Sequence, residues 1–330
     1  MAQSQSWREI PTRLSVEEFE QFVWPHLSKG RRGPARNLSA HTIFNYSLKA
    51  LYLGCQWKEL PIGKDRHGSP EIHYTRIYRA FRRWGADGCF DAIFESSVFR
   101  LHCDDRLDTR IIHGDGTTSA AKKGGDNLGF SGHKKVKGCK VVALCDRNCN
   151  VIAPFVSAPG NRNESPLLRE ALPRLTRIAR TVGFDLGGSV VSLDGVYDCR
   201  RNRKAIFNRG MVPNINPNER GRTSPRRGRK PLFDPAIFKE RFRTIGRVFA
   251  WEDKFRRLLL RFERLSHLHL RAQNPRLYND QSMALLPELI TRSRPLPHRR
   301  CRAPRSHSSA PCRHLRTIAH IIASHASPLH

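Results

Sequence analysis

Near residue 108 the apolar residues stop recurring at helical spacing and begin to alternate, and the elements that follow restrict the chain to a small set of folds. RIIHGD, GCKVVALC and NVIAPFVSA are short β-rich runs separated by Gly-rich or Asp-Arg-Asn turns, the pattern of antiparallel hairpins. A helix is predicted next. Ser165 caps it, Pro166 lies in its first turn, Leu168, Leu172, Leu175, Ala179 and Val182 line one face, and Pro173 bends it. SVVSLD is a buried strand ending at Asp194. Asp198 is then expected to cap the short helix CRRNRKAIFN, which Gly210 closes, before MVPNI returns as a strand. Three strands, helix, strand, helix, strand is the order of a mixed α/β sheet flanked by helices.

The first hundred residues read instead as helices, giving a small all-α domain over 1–107. Ser15 with Glu18 forms a capping-box start for VEEFEQFVWPHL, and Phe44, Leu48, Leu51 and Cys55 recur at helical spacing before Pro61. Beyond the turn GKDRHGSP, Tyr74, Ile77, Tyr78 and Phe81 make an apolar stripe, while Arg76, Arg79, Arg82 and Arg83 lie largely elsewhere on that helix. Arginines presented this way suit a helix-turn-helix-like element on DNA, because arginine contacts phosphates and guanine edges. The alternative is a solvated charged face on a packed helical domain.

Charge points to the same partner. A formal net charge of +30 makes any compact form repel itself unless a polyanion neutralises it. The segment 216–234, NPNERGRTSPRRGRKPLFD, combines breakers with Arg226, Arg227, Arg229 and Lys230, and reads as a basic loop able to hold a DNA backbone. No stretch approaches the roughly 20 apolar residues that span a bilayer, and MAQSQSWREIPTRL lacks the apolar run of a signal peptide. The expected setting is the cytoplasm, on the nucleoid, with no membrane partner. The nine cysteines form no CxxC pair, so neither a zinc ribbon nor a disulfide framework is expected.

Two aspartates stand where predicted strands end, Asp115 in RIIHGD and Asp194 in SVVSLD. Carboxylates on neighbouring strands can share hard cations, and two Mg²⁺ ions about 4 Å apart clamp the attacking and leaving oxygens of an in-line phosphoryl displacement. An aspartate at a strand end is equally a turn former.

Four separated blocks give these residues a context. GCQWKELP with RAFRRWGADGCFDAIF, then HGDGTTSAAKKGGDNLGFSGHKKVKG, then VVSLDGVYDCRRNRKAI, then RVFAWEDKFRRLLLRFER stand in order between about residues 15 and 270. In these the chain resembles the DDE transposases of bacterial-type insertion sequences, in the branch with a short helical domain before the catalytic one. The resemblance implies a ribonuclease-H-like catalytic domain over 108–270, with Asp115 and Asp194 as the first two catalytic carboxylates and as ligands of Mg²⁺ or Mn²⁺. It also implies double-stranded DNA, both terminal repeats and target, as partner, and compatibility with a homo-oligomer on DNA. Lys134, Lys135, Lys254, Arg256 and Arg257 join the candidate DNA contacts.

The fourth block departs from the family where a catalytic glutamate precedes its first arginine, for that position is Gly246. Glycine offers no ligand atom and weakens a helix interior by about 1 kcal/mol relative to alanine. Asp234 as cap and Pro235 at the first position are expected to open one long helix to about residue 268, with Phe238, Phe242, Ile245, Phe249, Leu259 and Phe262 inward and Glu252 on its polar side. On such a helix Glu240 and Glu252 both point away from Gly246. Residues 271–330 contain no Lys and no Gly but ten Arg, six His, seven Pro and seven Ser, the composition of a disordered basic tail and of a GC-rich gene read out of frame. The sequence therefore describes a transposase that cuts and joins DNA or, alternatively, a catalytically impaired copy that binds DNA and interferes with intact ones.

Overall fold

The structure, a computed structural model, describes residues 12–30, 38–218 and 231–264. Most of the basic loop 216–234, including Arg226, Arg227, Arg229 and Lys230, lies outside the described residues, as does the whole segment 271–330.

The N-terminal part is helical. The capping box is present: the Glu18 N–H donates to Ser15 Oγ (3.1 Å) and the Ser15 N–H to Glu18 Oε2 (2.8 Å), which fixes the start of α1 (Val16–Glu18). After a π turn come α2 (Ala40–Leu53), α3 (Tyr74–Ala86) and α4 (Cys89–Cys103). Phe19, Phe44, Leu48, Leu51, Ile77, Phe81, Trp84 and Phe90 make one apolar core. That core is completed from far along the chain, by Phe255 and Leu258. Gly54 ends α2 at φ +68°, and a Cβ there would come within 2.7 Å of the Arg256 Cβ, so the position requires glycine twice over.

The second part is built on a mixed sheet. Its strands are β1 (Ile111–Ala121), β2 (Gly129–Ser131), β3 (Val136–Asp146), β4 (Val156–Pro159), β5 (Val190–Leu193), β6 (Val212–Ile215) and β7 (Leu260–Arg261). The order is β2-β3-β1-β5-β6, with β4 also on β3 and β7 also on β1. β1 runs antiparallel to β3, and β3 to β4, whereas β1, β5 and β6 are parallel neighbours. This is the ribonuclease-H-like mixed sheet. Helix α5 (Glu164–Val182) supplies Leu168, Leu172, Leu175 and Ile178 to its core, α6 (Arg200–Phe207) supplies Ile206, and α4 reaches in with Phe94 and Val98.

Several local expectations change. β1 does not end at Asp115 but continues to Ala121, because β3 pairs with it along its whole length (Asp115 opposite Ala143, Ala120 opposite Gly138). The α5 cap is Asn163, which accepts from the Ser165 N–H, and the helix runs on through Pro173. Asp198 does not cap α6; Cys199 stands at that position, while Asp198 holds Arg203 and the Asn218 N–H. The single long C-terminal helix does not form over the described residues. Asp234 does cap α7 (Pro235–Glu240), but a 3-10 turn over Arg241–Arg243 follows, then α8 (Ile245–Lys254), α9 (Arg256–Leu259) and β7. The breaks fall at Thr244 (ψ −93°) and Phe255 (ψ 91°), outside the helical basin. The gain that offsets them is burial: Ile245 goes into the sheet core and Phe255 and Leu258 into the helical core, which one straight rod could not do. Phe242 and Leu259, expected inward, are exposed, and Glu252, expected on the polar side, is buried.

Candidate active site

Alternation along β1 sets the site. His113 and Asp115 share one face of the sheet, and Gly114 and Gly116 share the other. On the glycine face the fit is close: a Cβ on Gly116 would meet the Glu164 carboxylate at 2.6 Å. Glu164 opens α5, where Lys140 Nζ lies 3.1 Å from it and the Tyr197 hydroxyl donates to it at 3.4 Å. Burial, followed by the nearby carboxylates Glu164 and Asp115, pushes the Tyr197 phenol well above its ordinary range.

On the opposite face the two predicted aspartates come together. β1 and β5 pair in parallel with His113 beside Ser192, so two residues further on Asp115 stands abreast of Asp194, one residue past the end of β5. Each aspartate uses Oδ1 on the next backbone N–H, Gly116 at 2.8 Å and Gly195 at 2.6 Å. Each turns Oδ2 to one guanidinium, that of Arg241. Nη2 donates to Asp115 Oδ2 at 2.6 Å and Nη1 lies 3.5 Å from Asp194 Oδ2. The guanidinium also lies against the rings of Phe238 (5.1 Å) and Phe242 (5.7 Å), which fixes its plane. Burial raises the Asp115 carboxyl above its usual range, with Arg241 acting in the opposite direction.

Arg241 was not legible as a site residue. It is one of several basic residues in KERFR, and only the 3-10 turn between α7 and α8 aims it at the aspartates. Glu240 beside it is committed elsewhere: Arg147 grips it with two hydrogen bonds (2.6 and 2.9 Å), and His113 Nε2 lies 3.8 Å away. Burial lowers the His113 pKa.

Gly246 is the second residue of α8. A Cβ added there would touch only the Arg241 carbonyl, at 3.5 Å, so the position has room for a side chain and supplies none. Among the described residues no group of three His, Cys, Asp or Glu is placed to hold a metal ion.

The candidate DNA contacts divide. Arg76, Arg79 and Arg82 are exposed on α3, opposite buried Ile77, Ala80, Phe81 and Trp84. Arg83 departs from that set: it is half-buried, and its Nη1 would be 3.2 Å from a Cβ on Gly30. Lys134 and Lys135 are exposed in the β2–β3 turn, as are Lys254 and Arg256. Arg257 is corrected outright. It is buried, bonded to Glu263 (2.8 Å) and the Cys55 carbonyl (2.5 Å), and stacked on Trp57, so it is a core strut and not a DNA contact. No helix among the described residues is long and apolar enough to cross a membrane.

No family model and no curated protein matches the chain. Among solved structures it is similar to the piggyBac transposase synaptic complex with hairpin DNA, at 9% identity and a TM-score of 0.42, covering 84% of this chain and 75% of that one. It is also similar to the Mos1 mariner paired-end complex with Mn, at 11% identity and a TM-score of 0.26, covering 80% and 85%. At these scores the overlap is partial, and the site has to be read from its own residues.

Proposed function

We propose that the chain is an insertion-sequence transposase by descent, which binds DNA and, as written, cuts it very weakly or not at all. The observation that carries this reading is the meeting of Asp115 and Asp194 on adjoining parallel strands of a ribonuclease-H-like sheet, with Arg241 between them and a glycine at position 246. The first half of that observation is the carboxylate pair the family resemblance implies. The second is why activity is not expected.

The residues present do not fit a two-metal centre. A Mg²⁺ or Mn²⁺ ion would meet two carboxylates, not three, and would have to displace a guanidinium already bonded to one of them. No metal-assisted step follows from this residue set. What remains is DNA binding through exposed cations, Arg76, Arg79 and Arg82 on α3, Lys134 and Lys135, and Lys254 and Arg256, together with the basic sequence run 226–230, which lies outside the described residues. A protein that occupies element ends without cutting them would interfere with intact copies, and that activity suits the present molecule best.

The test pairs a mobility shift with a nicking assay on supercoiled DNA in Mg²⁺ and in Mn²⁺. Salt-sensitive binding with nicking no greater than that of Asp115→Ala is the expected result. Strong nicking that disappears in Asp115→Ala would make the chain an active enzyme. Failure to bind DNA even at low salt would overturn the reading altogether.

A further inference from the structure

A basic and aromatic hollow lies on α6. Arg200, Arg203, Lys204 and Phe207 recur at i, i+3, i+4 and i+7, so one helix face carries all four, and with Pro213 they line a hollow of 610 Å³. The opposite face of α6 is tied down, with Asn202 and Ile206 fully buried. Arg203 is a fixed wall of the hollow, bonded to Asp198 at 3.0 Å and to the Ile215 carbonyl at 3.0 Å. Arg200 and Lys204 are exposed and make no ion pair among the described residues, and Phe207 is 72% exposed.

A phenylalanine this open is unfavourable to leave in water, and here it stands one helical turn from Lys204 and two turns from Arg200, both exposed cations on its own helix face. That combination fits one ligand chemistry: a planar ring on the aromatic face with a phosphate within reach of the cations. Intact duplex presents phosphates but keeps its bases stacked inside, whereas a single-stranded stretch presents both. Position agrees. α6 follows the strand that delivers Asp194, and the chain enters the basic run 219–230 at Asn218, whose N–H is held by Asp198 beside Arg203. Resting on the DNA-binding reading above, we infer that the α6 hollow is a site for one unpaired nucleotide of a DNA strand, its base on Phe207 and its phosphate between Arg200 and Lys204.

The test uses the full chain and two fluorescently labelled probes of the same base sequence, one single-stranded and one a hairpin duplex, followed by anisotropy across a salt series. Phe207→Ala should weaken single-strand binding about tenfold, in the range one stacked base supplies, and leave duplex binding within about twofold. Phe207→Trp should retain single-strand affinity. Arg200→Ala with Lys204→Ala should lower the single-strand salt slope by about 0.7 for each phosphate the variant no longer neutralises. Unchanged single-strand affinity in Phe207→Ala, with salt-sensitive duplex binding intact, overturns the hollow and leaves the functional reading standing. Polyglutamate that competes as well as the oligonucleotide also overturns it. Binding of neither probe overturns the functional reading itself.

Discussion

Gly246→Glu separates what position 246 does for the helix from what it does for the site. A Cβ there meets nothing nearer than the Arg241 carbonyl at 3.5 Å, so the first carbon of a side chain fits without a clash. Replacing a glycine in the first turn of a helix restores about 0.5 kcal/mol, at the low end of the interior range. The first turn of α8 contains no acidic residue, and Thr244 provides no side-chain cap because its hydroxyl donates to the Glu240 carbonyl. A carboxylate in that turn therefore adds roughly 0.3–1 kcal/mol through the helix dipole. Together these predict a Tm increase of about 3 °C without metal if the new side chain stays beside its own helix. If it reaches Asp115 and Asp194, repulsion among three carboxylates offsets that gain, and the increase should appear only with Mg²⁺ or Mn²⁺, by about 1.4 kcal/mol at an ion concentration ten times Kd. Thermal melts with and without Mn²⁺, read beside nicking of cognate end DNA, distinguish the cases. A metal-dependent shift with restored nicking, both abolished by Asp194→Ala, is the expected result. A variant that melts like the unmodified protein under both conditions and does not nick would refute the placement of the third carboxylate at residue 246.

Arg241→Ala should destabilise the protein by about 2 kcal/mol at neutral pH, because it leaves the half-buried Asp115 without its charged hydrogen-bond partner; urea unfolding checks this, and a change below roughly 0.5 kcal/mol would deny the bridge its weight. Arg76→Ala, Arg79→Ala and Arg82→Ala combined should reduce the duplex salt slope by about 0.9 for each phosphate left without its arginine, and Arg257→Ala should leave that slope unchanged while lowering Tm. Asp146 is fully buried, and burial pushes its carboxyl up to about 6 against the hydrogen bonds it accepts from Asp108, Asn148 and Asn150. A raised acid binds its proton more tightly when folded, so its contribution is fully present below the unfolded pKa near 4 and is lost as pH rises to about 6, a change of about 3 kcal/mol. His113, lowered by burial, acts in the opposite sense and adds stability as pH rises toward 6.5. Unfolding free energies at pH 4.5 and 6.5 should therefore diverge between Asp146→Asn and His113→Gln; identical pH profiles would contradict both assignments.

The sheet was legible because strand signals depend on local alternation and turn residues. GCKVVALC and SVVSLD carry both, and their pairing with RIIHGD brings Asp115 beside Asp194. The capping residues Ser15 and Asp234 were equally readable, since a cap is a contact over two or three positions. The C-terminal run was not. Its apolar residues recur at helical spacing from Phe238 onward, yet they serve two separate cores, and a periodic pattern does not say that the surfaces it fits point in different directions. Arg241 and Arg257 were misjudged or missed for the same reason. In a chain with 59 lysines and arginines, cations that neutralise buried groups look like those that face a polyanion until long-range pairings, Cys55 with Arg257 and Asp115 with Arg241, separate them.

The closure of the helical core by Phe255 and Leu258 bears on how the protein is made. Synthesis delivers α1 to α4 first, but their apolar surface stays incomplete until more than 150 further residues have been translated. A nascent chain in that interval leaves the α2 side of that core uncovered where the Phe255 ring meets Tyr52, the kind of surface that chaperones and proteases recognise. Contacts of such sequence separation also make folding slow. A chain interrupted before residue 255 would never close the core, whereas one altered after 270 has already produced both plugs. The abrupt change in composition thus begins downstream of both plugs, so a chain altered only from residue 271 onward still carries every described residue that closes the helical core.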